Sequence, residues 1–188
     1  MKKGLAILAV AGMAAAASAQ DEGFNLSSSL AVLDPGNPTA TITMSAKFPA
    51  ADYAFAGARV SVGASEAGWG TPSLILMGPG TSAGAVVGAD VTGIVVGQLN
   101  FPPGMIFADP SNPIDVWSAD FTVTDFATAR TIDMKTTTTQ FAVYPERDSS
   151  ISETRSPVSE GAASIEVVPA PASLALLGLG GLAAARRR

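Results

Sequence analysis

Between residues 20 and 166 the apolar positions recur at every second residue, the period of a strand half-buried against a core, with no convincing helical periodicity. In residues 39–48, Ile42, Met44, Ala46 and Phe48 share one face, and Thr41, Thr43, Ser45 and Lys47 share the other. In residues 53–64, Ala54, Ala56, Ala58, Val60 and Val62 oppose Tyr53, Phe55, Gly57, Arg59, Ser61 and Gly63. In residues 114–123, Trp117 and Phe121 lie on the face of larger side chains and are expected in the core. Further strand segments are predicted within residues 25–33, 73–77, 86–96, 98–101, 130–138, 140–144 and 164–168. Turn residues separate them: Asp34, Pro35, Gly36, Asn37 and Pro38, then Gly78, Pro79 and Gly80, then Pro102, Pro103 and Gly104. Residues 145–161 are polar and charged, which predicts a long loop or a flexible approach to the last strand.

Eight or nine short strands between turns predict an all-β domain over residues 20–166, an antiparallel β-sandwich of immunoglobulin-like or jelly-roll/cohesin-like type.

The two ends break the pattern. Lys2 and Lys3 precede an apolar run over residues 4–16, and Ala17, Ser18 and Ala19 supply a small-x-small cleavage site. Residues 1–19 are therefore expected to be a signal peptide cut by signal peptidase after Ala19, leaving Gln20 first. The apolar run is shorter than the roughly 20 residues that span a bilayer. At the other end Val168, Pro169, Ala170 and Pro171 form a proline hinge, residues 172–185 are apolar and glycine-rich, and Arg186, Arg187 and Arg188 form a basic stop. Arginines held on the cytoplasmic face would halt such a tail during export, and about 14 residues make only some 21 Å of helix, a transient anchor in the inner membrane.

Residues 167–188 resemble the PEP-CTERM sorting signal of bacteria, whose members carry Val-Pro-Glu-Pro, an apolar helix and terminal arginines; Ala170 stands where that signal usually has Glu. The resemblance implies an exosortase as processing partner, a short C-terminal apolar transmembrane helix, and delivery to the cell envelope, cell surface or extracellular matrix.

Charge and composition narrow the chemistry of the body. The formal charge of −5 conceals a segregation, because five of the 11 basic residues lie in the terminal segments. The remaining six face 16 acidic residues, so the body carries about −10, which opposes nucleic-acid binding. The chain has no Cys and no His, which excludes disulfides, thiolate zinc sites, histidine metal sites and serine triads.

What remains for chemistry is carboxylates and a few aromatics. Glu66 beside Trp69 has the look of a sugar-contacting loop, but the favoured reading is an indole that plugs one end of the sandwich. Asp109, Asn112 and Asp115 offer the oxygen donors calcium prefers, but lack the spacing of an EF-hand loop; turn chemistry accounts for Asp109 and Asn112 without an ion. Residues 78–84 are glycine-rich without a following Lys and read as a loop. Residues 136–139, all Thr, are expected to form a solvated strand face, with O-glycosylation the sharper alternative. No cofactor, metal ligand set or catalytic residue is assigned. The function expected is that of a non-enzymatic structural or adhesion module working with extracellular polysaccharide; the alternative is a carbohydrate-binding or carbohydrate-active module.

Overall fold

The structure, a computed structural model, describes residues 22–101 and 106–169. It is all-β among those residues, with eleven strands: β1 (Gly23–Ser28), β2 (Val32–Leu33), β3 (Thr39–Lys47), β4 (Ala54–Ala64), β5 (Ser73–Leu74), β6 (Ser82–Val87), β7 (Asp90–Gly97), β8 (Ile114–Thr122), β9 (Arg130–Tyr144), β10 (Glu153–Thr154) and β11 (Ala162–Val167). The smaller sheet runs β1-β3-β8-β5 and the larger runs β2-β11-β9-β4-β7-β6, with β10 also on β9. Every pairing between these strands is antiparallel except β2 with β11.

The two sheets bury one apolar core between them. Phe24 of the smaller sheet meets Phe55 and Phe141 of the larger edge-on, with ring centres 6.4 and 5.5 Å apart. Ile42, Met44, Ala46 and Phe48 face this core as the alternation predicts, as do Trp117 and Phe121.

The faces of β4 depart from simple alternation. A register shift between Phe55 and Gly57 against β9 turns Phe55 inward with Ala58, Val60 and Val62. Ala54 and Ala56 instead join Ala108, Ala142 and Tyr144 in a separate small cluster. A bulge adds one residue and so exchanges the two faces beyond it. The shift between Met44 and Ser45 against β8 likewise leaves both Val116 and Trp117 buried.

Other segments are shorter or more ordered than the alternation predicts. Residues 25–33 divide at Ser29 into β1 and β2, which belong to different sheets. Only Ser73 and Leu74 of the 73–77 run form a strand, and Met77 is 78% exposed. The β6–β7 hairpin closes through Gly88 and Ala89, and only Gly88 has positive φ (63°), the pattern of a type II′ turn. Residues 145–161 are tied down: β10 pairs with β9, and Arg155 reaches Asp52 at 2.6 Å and Glu153 at 2.9 Å. The expected signal peptide with Ala17, Ala19 and Gln20, the expected apolar helix, and Arg186, Arg187 and Arg188 lie outside the described residues.

Candidate functional site

Registers place the start of β1 and the end of β11 at opposite poles. β1 begins at Gly23 beside Lys47 and Ser159, and β11 ends at Val167 beside Arg130 and Leu33. Along β9, Arg130 to Tyr144 spans about 46 Å at 3.3 Å per residue. The pole where β11 ends, the tail pole, carries the loops around residues 34–38, 65–72 and 123–129. The far pole carries residues 48–53, 98–101 with 106–113, and 145–161.

At the tail pole the start of the candidate sorting segment is part of the sheet. Val167 is buried and is flanked by Leu33 on one side and Arg130 on the other. The Glu166 N–H donates to Ala31 O at 3.0 Å, and the Val168 N–H donates to Leu33 O at 2.9 Å. Pro169 has no N–H to continue the ladder, so pairing stops there. Val168 is 42% exposed, close to Val32 at 41%. Ala170 and Pro171 lie outside the described residues.

Trp69 is the aromatic plug of this pole. It is buried, its ring lies 5.9 Å from Trp117 and 5.0 Å from Phe121, and its indole N–H donates to Ala89 O at 2.8 Å. No face of it is free to stack on a sugar. Glu66 accepts from Arg130 Nε and Nη2 at 2.7 and 2.8 Å, a bidentate pair that raises the guanidinium pKa above its usual value.

At the far pole the oxygens considered for calcium are separately engaged. The Asp109 carboxylate accepts from the Ser111 hydroxyl at 2.6 Å and its N–H at 2.8 Å, and these bonds lower its pKa. Asn112 accepts from the Phe48 N–H, and Asp115 accepts from the Ser45 hydroxyl at 2.6 Å. Among the described residues no three acidic side chains converge as a metal ligand set would.

The threonine run is a correction. Thr136 is fully buried and its hydroxyl donates to Glu160 at 2.6 Å, while the Thr138 N–H and hydroxyl donate to the same carboxylate at 2.8 and 2.9 Å. Glu160 returns from the 145–161 segment and covers this part of β9; only Thr137 and Thr139 remain exposed. The pairing spans more than 20 residues, so local periodicity carries no sign of it.

On the outer face of the larger sheet lies a groove of about 660 Å³, which sequence reasoning missed. Ser61, Thr92, Thr137 and Ser164 line it with Asp133 and Lys135, a set of hydroxyl and charged groups on four neighbouring strands. Ser164 donates to Asp133 at 2.7 Å. The alternation does place Ser61 on the face away from the core, but the register that joins the four strands is long-range.

No curated protein and no solved structure matches the chain at a significant level. The family described as PEP-CTERM protein-sorting motif matches residues 167–188. Its first residue is the last of β11, so the motif continues directly from the sheet. The chain thus ends in a PEP-CTERM protein-sorting motif, the mark of an exported, cell-envelope-associated protein processed by an exosortase.

Proposed function

We propose that this protein is a non-enzymatic structural or adhesion module of the cell surface or extracellular matrix, a β-sandwich of immunoglobulin-like or jelly-roll type delivered by its tail. The observation that carries the reading is the sorting motif running straight out of the last strand of a folded all-β body. A body joined so directly to its tail is suited to be displayed as cargo. The absence of His and Cys from the chain supports a role without catalysis.

The partner class we propose is extracellular polysaccharide, taken by the groove on the outer face of the larger sheet. Hydroxyl and carboxylate side chains there, with Lys135, match the hydrogen-bonding needs of sugar hydroxyls. The burial of Trp69 moves this reading away from the Glu66 loop.

The test is a glycan array probed with the mature body and with its Asp133→Ala and Lys135→Ala variants, paired with an assay of reducing-sugar release. Binding that both variants weaken about tenfold, without sugar release, supports the module. Release of reducing ends would replace it by an enzyme, and absence of binding to any glycan would remove polysaccharide as the partner.

A further inference from the structure

The geometry points to a latch on tail processing: the exosortase reaches the start of the motif only after the end of β11 separates from β2. This inference rests on the reading of residues 167–188 as a substrate. Val167 is held between Leu33 and Arg130, and the Val168 N–H is given to Leu33 O at 2.9 Å. The main chain that a protease would bind in extended form upstream of Pro169 is therefore already occupied by the sheet.

The length of chain beyond the sheet sharpens the constraint. Three residues, 169–171, separate the sheet from the apolar segment that begins at Ala172, and they reach about 10 Å at full extension. A membrane-embedded protease must fit its cleft around the chain within that distance of both the bilayer and the folded body. Separation from β2 frees the Val168 N–H and adds that residue to the reach, while Val167 stays paired with Arg130 of β9.

What holds the latch is small and specific. β2 is only two residues long, and its Val32 and Leu33 pair with Glu166 and Val167. Leu33 and Val167 are both buried, whereas Val32 and Glu166 are both exposed. A two-residue edge strand that anchors through one buried side chain can open without unfolding the sheets behind it.

The exposed pair supplies the test. Val32→Cys with Glu166→Cys joins facing positions of β2 and β11 by a disulfide in the oxidising compartment, and a mass lower by two hydrogens verifies closure. The full chain is expressed in a host carrying the exosortase, and loss of the tail is followed by intact mass. Processing of the locked chain is expected to fall about tenfold or more, and to recover on reduction, because cleavage follows the population of the open form. Four Gly/Ser residues inserted between Val168 and Pro169 are expected to restore processing of the locked chain without reduction. Processing of the locked chain at the wild-type rate would overturn the latch. A wild-type chain that keeps its tail in this host would overturn the underlying reading instead.

Discussion

The two poles of the molecule are closed by different physics. At the tail pole Trp69 lies across the end of the core against Trp117 and Phe121, an apolar plug with one indole hydrogen bond. At the far pole polar side chains stitch loops to one another. Buried Asn100 donates to Arg147 O and Ser149 O, both at 2.7 Å, and accepts from the Ala108 N–H at 3.0 Å. Gln98 ties Phe55 O to the backbone of Asp109, and Tyr53 and Tyr144 donate their hydroxyls to Ala108 O and Gln98 O. Arg155 gathers Asp52, Glu153 and, at 3.8 Å, Glu22. The Trp69 plug should therefore resist changes of salt and pH, and the Arg155 cluster of the far pole should register them.

Trp69→Ala tests the plug and should have the largest effect. It removes the ring contacts to Trp117 and Phe121 and one of the two donors to Ala89 O, which keeps the Ala64 N–H, for a loss of about 3–5 kcal/mol in denaturant unfolding that is the same in low and high salt. Asn100→Ala tests the stitch. Three backbone groups lose their partner at once, which should cost about 2–3 kcal/mol and raise hydrogen exchange in residues 106–110 and 147–151 while the tail pole stays protected.

Arg155→Met comes next. Asp52, whose side chain is only 7% exposed, loses its cation, but the guanidinium is itself 27% exposed and screened. The expected loss is about 1–2 kcal/mol, between the surface and buried limits, and it should shrink as salt rises. Arg155 Nε is already buried without an acceptor among the described residues, so removing the guanidinium also removes that cost.

The smallest effect belongs to Asp109→Ala, and it has a sign. The Ser111 hydroxyl and N–H lower the pKa of Asp109 in the folded state, so its contribution is present above the unfolded value near 3.9 and is lost as pH falls through the folded one. Thermal midpoints of wild type and variant should differ by a constant amount from about pH 7 to 5 and converge below about pH 4.

The plug was largely legible in the sequence and the stitches were not. Trp117 and Phe121 declare themselves by alternation within β8, and Asp34 declares its turn, where its carboxylate accepts from the Gly36 and Asn37 N–H groups at 2.7 and 2.8 Å. Local chemistry of this kind repeats in every protein. Arg155 and Asp52 lie 103 residues apart, and Thr138 and Glu160 lie 22 apart; no local period connects them. Bulges hide in the same way: Phe55 reads as outward because strict alternation has no place for an extra residue. At the end of the chain, Val168 and Pro169 were visible as a motif, but only the register of β2 against β11 shows that the motif begins inside a sheet.

The mass of the mature chain tests the central claim most directly. The full chain is expressed in matched hosts with and without the exosortase, and the envelope and released fractions are weighed intact. The account predicts a species that begins at Gln20 and has lost the segment after Pro171 only where the protease is present. A chain that keeps Arg188 in both hosts would contradict it.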